Sequence, residues 1–235
     1  KDKFPQPKQF IENFRSKGIN IIPNIKPAFL DSHPLYKEIA DKGYFVKDKD
    51  GSPFVTEFWD GLGSYIDFTN PDAFDFWGEK VKETLLDYGV TATWNDNNEY
   101  DIKSLDASAF GFDGKEVSAS RIRPSLTYLM VLSSYMAQMK HNPDLRPFLS
   151  TRSGNTAVRR LAQTWSGDNR SEFKDLRYCH MCFGVCAYFR FFSAAPAGTA
   201  FGYAIPCNGR LLCHGVRHHG AKVHADKTAF LPFKP

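Results

Sequence analysis

The sequence predicts an α/β fold: part of a (β/α)8 TIM barrel, followed by a C-terminal tail that does not match it. Two observations predict the barrel. Strand-like and helix-like segments alternate along the chain, and polar side chains follow each strand-like segment. A third observation separates the tail, since the composition changes abruptly near residue 179. We therefore predict a partial barrel in residues 1–178 and an unassigned tail in residues 179–235.

The first predicted elements are a short helix, a buried strand and a hairpin. Phe10 and Phe14 lie one helical turn apart, and Gly18 suits the left-handed residue that follows a helix end. The run GINIIPNIKPAF at residues 18–29 is rich in β-branched residues and predicts a buried strand. An Asp-Gly pair at residues 50–51 separates two alternating apolar runs, which predicts a hairpin turn outside the main sheet.

A long helix precedes the most polar segment of the chain. Asn70, Pro71 and Asp72 supply an N-cap, a first-turn proline and an acidic group near the positive end of the helix. Apolar residues then recur at helical spacing as far as Gly89. Directly afterwards, VTATWNDNNEYDI at residues 90–102 joins an apolar strand to a cluster of acid and amide side chains.

The next part of the chain repeats this arrangement. Arg123-Pro124 begins a second long helix, which is followed by two short predicted strands. These strands are RPFLSTR at residues 146–152 and RLAQTWSGDN at residues 160–169. Because long crossovers join parallel strands, the four strands are predicted to form a parallel sheet.

Polar side chains follow all four predicted strands. They are Lys26, the group Asp96–Glu99, Arg152, and Asp168 with Asn169. Convergence of such groups at the carboxyl ends of parallel strands is what an active site of a (β/α)8 barrel requires. An open doubly wound sheet is the alternative, although no glycine-rich phosphate loop follows any of these strands. Four strands are too few to close a barrel.

The charge and apolar patterns exclude two classes of protein. The net charge of +4 comes from residues 179–235, which contain six Lys or Arg residues and only one acidic residue, Asp226. Residues 1–178 are close to neutral and contain no basic patch, so we expect no nucleic-acid partner. The longest apolar runs are shorter than the roughly 20 residues that cross a bilayer, so we expect no membrane span.

The N-terminal residues contain no apolar signal core, so they do not identify a compartment, and the cytoplasm is the default expectation. They look like an internal start rather than a natural one. The sequence does not indicate which oligomeric state the protein adopts.

Two carboxylates are candidates for acid–base chemistry. Asp96 and Asp168 each follow a tryptophan near the end of a predicted strand, so we expect them to face one cavity. Two carboxyl groups across a cavity, one ionised and one protonated, can break a glycosidic bond. The alternative is that residues 96–101 form a capping loop, a metal-binding loop or a solvated turn. The residue pattern alone leaves these interpretations open.

Four segments resemble one enzyme family. WNDNNE at residues 94–99 resembles the nucleophile motif of glycoside hydrolase family 31, the α-glucosidase and α-xylosidase family. STRSGNTAVRRLAQTWSGDN at residues 150–169 resembles the acid/base segment of that family. KQFIENFRSKGINIIPNIKP at residues 8–27 and FWDGLGSYIDFTNPDAFDFW at residues 58–77 resemble the segments that precede the nucleophile. The resemblance covers residues 1–178 in the order of the family.

The resemblance implies a retaining α-glycoside hydrolase, similar to α-glucosidases, that acts on α-linked glucosides or oligosaccharides in carbohydrate metabolism. It implies that Asp96 is the nucleophile, Asp168 the general acid/base and Glu99 a supporting carboxylate. It further implies contacts with the sugar from Arg152, Trp59, Trp94 and Trp165. The retaining mechanism requires the two catalytic carboxyl groups to lie about 5 Å apart. Neither a metal nor an organic cofactor is implied.

The chain also departs from the family pattern. Asn97 stands where methionine is common, and residues 155–160 lack the usual A-G-x-Q, so the preferred sugar stays open. By the resemblance, the chain begins after the first barrel strands, and no later family segment is visible after residue 178. We therefore expect an incomplete and poorly active fragment.

The tail supports an alternative hypothesis. All five cysteines and five of the seven histidines lie in residues 179–235. A zinc-binding module without glycosidase activity would use thiolates and imidazoles from this set: Cys179, Cys182, Cys186, His214, His218 and His219. The odd number of cysteines and the lack of a second C-x-x-C argue against zinc. A shifted reading frame explains the abrupt change in composition and predicts a poorly packed tail.

Overall fold

The computed structural model describes residues 4–58, 60–165, 167–170 and 172–175, together with the backbone of residues 202–207 and 210–215. In chain order, the helices and strands are α1 (Pro7–Arg15), β1 (Asn24–Ile25), β2 (Ala28–Leu30), α2 (Tyr36–Asp41), β3 (Val55–Phe58), β4 (Gly61–Tyr65), α3 (Pro71–Thr84), β5 (Ala92–Asn95), β6 (Ser108–Phe112), β7 (Lys115–Ser118), α4 (Arg123–His141), β8 (Phe148–Thr151), β9 (Gln163–Thr164), β10 (Gly202–Cys207) and β11 (Arg210–Gly215). Residues 1–165 form one compact unit and residues 166–235 form a second.

The main sheet of the first unit contains four parallel strands. Their order in space, β1-β5-β8-β9, is the same as their order in the chain. In a doubly wound sheet the strand order reverses at a switch point, whereas in a barrel it runs one way around. The described strands therefore form an arc of a barrel, as predicted, and the doubly wound alternative is wrong.

The first strand is shorter and more exposed than the sequence predicts. Only Asn24 and Ile25 are assigned to β1, and Asn24 is exposed while Ile25 is partly buried. Pro23 and Pro27 flank the strand and have no N–H to donate, which limits pairing on both sides. The carbonyl of Pro23 still accepts a hydrogen bond from the amide of Trp94 at 2.9 Å. The predicted buried strand is thus a short strand at one edge of the described sheet.

The two long helices begin where the sequence predicts. Asn70 caps α3 through its Oδ1, which accepts from the amide of Asp72 at 3.0 Å. α4 lies against β5 and β8, and α3 packs against α4. The indole Nε1 of Trp77 on α3 donates to the hydroxyl of Ser134 on α4 at 3.0 Å, and both residues are buried. The main core cluster joins these helices to the segments around β4 and β6, with Phe45, Ile66 and Tyr100 among its buried members.

A second sheet in the first unit is antiparallel, with the order β2-β4-β3. The predicted turn at residues 50–51 is confirmed: Gly51 has a φ of +84°, and the amide of Ser52 donates to Asp50 Oδ1 at 3.0 Å. The hairpin of β6 and β7 follows β5 and is a further antiparallel excursion. In the chain, these excursions lie between the parallel strands, and Tyr65 of β4 and Ala109 of β6 belong to the main core.

In the second unit, β10 and β11 pair as an antiparallel hairpin. The sequence analysis assigned no strand to these residues, so the hairpin is an element that it did not predict. His214 lies in β11, whereas the other five candidate zinc ligands fall outside the described residues. Within the part of the chain that the structure describes, no helix is both long enough and apolar enough to cross a membrane.

Candidate active site

The register of the parallel strands places Asp96 at the carboxyl end of β5. Its amide donates to the carbonyl of Ile25 at 2.9 Å, which continues the β1–β5 ladder by one residue. Side chains alternate between the two faces of a strand, so Asp96 and Trp94 share one face. Asn24 contacts Asp96 from β1 and therefore shares this face as well. We call it the site face, and the opposite face, which carries Thr93 and Asn95, the helix face.

The carboxylate of Asp96 has two differently placed oxygens. Asp96 as a whole is only 8% exposed. Its Oδ2 accepts a hydrogen bond from Asn24 Nδ2 at 2.9 Å. Its Oδ1 is buried, lies 3.5 Å from Arg152 Nη1 and accepts no hydrogen bond from the described residues. The remaining exposure of the side chain therefore comes from atoms other than Oδ1.

Arg152 connects Asp96 with a second carboxylate. It follows β8, and its amide donates to the carbonyl of Asn95 at 3.0 Å, which brings it to the carboxyl end of β5. Its Nε donates to Glu99 Oε1 at 2.9 Å while its Nη1 faces Asp96. One guanidinium thus contacts two carboxylates and offsets two negative charges.

The loop that carries Asp96 and Glu99 is held by Asn98. Asn98 is fully buried, its Nδ2 donates to Thr151 Oγ1 at 2.8 Å, and its Oδ1 accepts from the amide of Ser153 at 3.0 Å. Its carbonyl accepts from Thr127 Oγ1. These bonds tie the loop after β5 to the loop after β8 and to α4. The sequence assigned Asn98 no role of its own, because its partners lie far away in the chain.

Two residues close to Asn98 in the chain adopt left-handed backbone conformations. Asn97 has a φ of +49° and Tyr100 a φ of +54°, and such values are uncommon outside glycine. The ring of Tyr100 is fully buried and stacks on Tyr65, with the ring centroids 4.8 Å apart. Its hydroxyl donates to the carbonyl of Ile66 at 3.1 Å. Burial raises the pKa of Tyr100 well above its ordinary value, so this hydroxyl stays a donor.

Buried polar contacts support the site from the helix face. Asn95 Nδ2 donates to Ser134 Oγ at 3.2 Å, and Gln138 Nε2 donates to Thr93 Oγ1 at 3.0 Å. Gln138 Oε1 also accepts a hydrogen bond from the amide of Phe148 at 3.1 Å. These contacts join β5 and β8 to α4 behind the carboxylates. A site on packed strands of this kind is more rigid than one on free loops.

The structure brings together two of the three predicted sugar-contacting tryptophans. The rings of Trp94 and Trp165 meet edge to face, with centroids 5.4 Å apart. Both are partly exposed. Trp59 lies outside the described residues. The first unit therefore offers one aromatic pair close in sequence to Asp96.

The second predicted catalytic acid is not part of the first unit. Asp168 is exposed and belongs to the unit that begins at residue 166. Of the three predicted catalytic or supporting carboxylates, Asp96 and Glu99 share Arg152. The pairing of Asp96 with Asp168 remains a prediction from the sequence.

Nothing in the described residues favours a metal centre. Within residues 4–175, apart from the undescribed positions 59, 166 and 171, no three His, Cys, Asp or Glu side chains form a group suited to a metal ion. At the predicted site, the cation between the carboxylates is the guanidinium of Arg152. The interpretation of residues 96–101 as a metal-binding loop therefore has no support.

Comparison with known proteins gives consistent matches. Residues 1–185 match the profile described as the Glycosyl hydrolases family 31 TIM-barrel domain. Alpha-glucosidase 2 from Bacillus thermoamyloliquefaciens is 30% identical over 220 residues, which are 90% of this chain and 27% of the relative. Neutral alpha-glucosidase C from Homo sapiens is 28% identical over 191 residues, which are 75% of this chain and 20% of the relative. The chain thus spans about a quarter of the length of these curated relatives.

Solved structures agree with the fold. A sulfoquinovosidase of the GH31 family from E. rectale, in complex with an aza-sugar inhibitor, matches with a TM-score of 0.63 and 26% identity over 73% of this chain and 25% of that one. A GH31 dextranase from Flavobacterium johnsoniae, complexed with glucose, matches with a TM-score of 0.62 and 24% identity over 70% of this chain and 21% of that one. The resemblance and the barrel fold predicted from the sequence are confirmed.

Proposed function

Because the chain belongs to glycosyl hydrolase family 31, we propose that it forms part of the active site of a retaining α-glycoside hydrolase. The relatives named as α-glucosidases support an α-linked glucoside or oligosaccharide as the substrate. The observation that carries the proposal is the placement of Asp96, a buried carboxylate at the carboxyl end of a barrel strand that is ion-paired with Arg152.

Asp96 is the proposed nucleophile. In the first step a carboxylate oxygen of Asp96 bonds to the anomeric carbon while the bond from that carbon to the leaving oxygen breaks. Asp168 is the proposed general acid, which protonates the leaving oxygen in this step. In the second step Asp168 takes a proton from water, and the water oxygen displaces Asp96 from the sugar. The configuration at the anomeric carbon is retained.

Arg152 and Glu99 have supporting roles in this proposal. The guanidinium of Arg152 lies 3.5 Å from Asp96 Oδ1 and offsets the negative charge of the nucleophilic carboxylate. Glu99 accepts a hydrogen bond from Arg152 Nε. This bond orients the guanidinium so that its Nη1 lies beside Asp96. We also propose that Arg152 contacts a hydroxyl group of the sugar once the substrate is bound.

The tryptophans are proposed to form the wall of the sugar site. Trp94 and Trp165 present adjoining aromatic surface close to Asp96, and aromatic faces suit the apolar side of a sugar ring. Trp59 is proposed for the same wall by resemblance to the family. The zinc-module alternative has no support from the described residues or from the matched family.

The test of the proposal is covalent trapping of Asp96. The test protein is a hybrid in which residues 1–178 replace the aligned segment of the Bacillus relative, so that the rest of the barrel is present. A slow fluorinated α-glucosyl fluoride should label Asp96, as identified by peptide mass spectrometry, and Asp96→Asn should prevent labelling because an amide is not a nucleophile. Asp101→Asn is the matched control, since Asp101 is an exposed acid of the same loop. A label on Glu99 or Asp101 would overturn the assignment.

A further inference from the structure

We infer that Asn24 is a positioning residue that orients the carboxylate of Asp96 so that its Oδ2 meets the sugar. The inference rests on the proposed role of Asp96 as the nucleophile. It starts from the hydrogen bond of 2.9 Å from Asn24 Nδ2 to Asp96 Oδ2. The residue types and their spacing in the chain do not predict this contact, since the two residues are 72 positions apart.

The backbone holds Asn24 in a fixed relation to Asp96. The carbonyl groups on either side of Asn24, those of Pro23 and Ile25, accept from the amides of Trp94 and Asp96, each at 2.9 Å. In the register of β1 and β5, Asn24 is opposite Trp94, two residues before Asp96. The two side chains therefore project from neighbouring strands on the site face. The amide of Asn24 reaches Asp96 without a long flexible side chain, so little conformational freedom is lost.

The chemistry of the two oxygens explains why an amide is needed. Oδ1 is buried beside Arg152, and we take Oδ2, which accepts from Asn24, as the oxygen that meets a sugar on the site face. A carboxylate beside a guanidinium tends to rotate until both of its oxygens accept from the guanidinium. The hydrogen bond from Asn24 opposes that rotation. Because the amide is neutral, it holds Oδ2 without adding a second positive charge that would weaken the nucleophile.

Orientation is tested first in the full 235-residue chain, independently of activity. Crystal structures of the wild type and of Asn24→Leu should show the Asp96 carboxylate turned towards Arg152 in the variant. Asn24 is exposed, so the variant is expected to fold. An unchanged Asp96 orientation in Asn24→Leu would overturn the inference, whatever the outcome of the trapping experiment.

The functional consequence is tested in the hybrid enzyme with the same fluorinated α-glucosyl fluoride. Asn24→Leu should lower the maximal rate of labelling at Asp96 by about tenfold to a hundredfold, the range for a lost hydrogen bond to a charged group. The concentration for half-maximal labelling should change little, since Asn24 acts through Asp96. Asn24→Asp has the same shape but accepts instead of donating, and it should label even more slowly because two carboxylates would face each other.

Gln163→Leu is the control, because Gln163 is an exposed amide on β9 whose Nε2 donates to the backbone of Thr164. It should label at the wild-type rate. Wild-type labelling of Asp96 with no loss of rate in Asn24→Leu would overturn the inference while leaving the proposed function intact. Labelling of a residue other than Asp96 would instead overturn the proposed function.

Discussion

Asp67 is a buried acid that the proposed chemistry does not use. It is 3% exposed, and its Oδ1 accepts from the amide and hydroxyl of Thr69 at 2.9 and 2.5 Å. Its Oδ2 accepts from the amide of Phe110 at 2.6 Å. Burial raises the pKa of Asp67, although these hydrogen bonds and Lys47 act in the opposite direction. The residue attaches β6 to the segment after β4 at a cost in desolvation.

The raised pKa of Asp67 predicts a specific pH dependence of stability. The folded protein binds this proton more tightly than the unfolded chain, so the associated stability is complete below an ordinary carboxyl pKa of about 4 and is lost as the pH rises through the raised value. The unfolding free energy of the wild type minus that of Asp67→Asn should therefore decrease as the pH rises through this window. Urea denaturation at a series of pH values measures it.

Asp113→Asn serves as the control for this titration. Asp113 is an exposed acid in the turn of the same β6–β7 hairpin, and asparagine tolerates its positive φ of +55°. Urea denaturation of this variant over the same pH series measures the effect of removing an exposed acid from the hairpin. A difference for Asp67→Asn that does not change with pH would show that burial does not control this carboxyl group.

At the scale of elements, the start of α3 depends on one side chain. Asn70 Oδ1 accepts from the amide of Asp72, and Pro71 occupies the first helical turn, where no N–H is required. α3 places Trp77 and Val81 in the core. Loss of the cap therefore affects the support behind β5 rather than an isolated surface helix.

We predict that Asn70→Ala lowers the unfolding free energy by about 1 kcal/mol, the usual effect of removing an N-cap. Asn70→Ser keeps an oxygen that accepts from the first-turn amides and should recover most of the loss. Urea denaturation followed by circular dichroism compares the three proteins. Equal stability of Asn70→Ala and the wild type would mean that water replaces the cap without cost.

At the scale of the whole molecule, the described residues supply four parallel strands of a fold that uses eight. Catalysis needs its groups held to within about half an ångström by packed neighbours. We therefore predict that the 235-residue chain alone turns over an aryl α-glucoside slowly or not at all. The hybrid with the Bacillus relative should restore turnover. Rapid turnover by the chain alone, lost on Asp96→Asn, would contradict this prediction.

The role of Asp168 is also tested in the hybrid. Asp168→Ala should slow substrates with poor leaving groups much more than activated aryl glucosides, because only the former need a proton in the first step. Steady-state rates on an α-linked disaccharide and on a nitrophenyl α-glucoside give the comparison. Glu172→Ala, an exposed acid of the same unit, is the control. Equal losses on both substrates would indicate a structural role for Asp168.

Much of the fold follows from local patterns in the sequence. The N-cap at Asn70 and the Asp-Gly turn at residues 50–51 depend on neighbours in the chain, and both are observed. The helix predicted to reach Gly89 ends at Thr84, and a 3-10 helix at Leu86–Tyr88 leads to Gly89. The parallel direction of the strands followed from the lengths of the crossovers. The buried strand at residues 18–29 was predicted too long, because its pairing depends on a distant partner and on two prolines rather than on β-branched residues alone.

The sequence by itself indicated Asp96, Glu99 and Arg152 as candidate site residues, since motif and strand order indicate residue types and their approximate location. Only the tertiary structure decided how they meet. The register of β1 with β5 places Asn24 on Asp96, and the bonds of Asn98 to Thr151 and Ser153 bring Arg152 between the carboxylates. Hydrogen bonds act over about 3 Å in space and not along the chain, so partners 53 to 72 residues apart become neighbours only on folding.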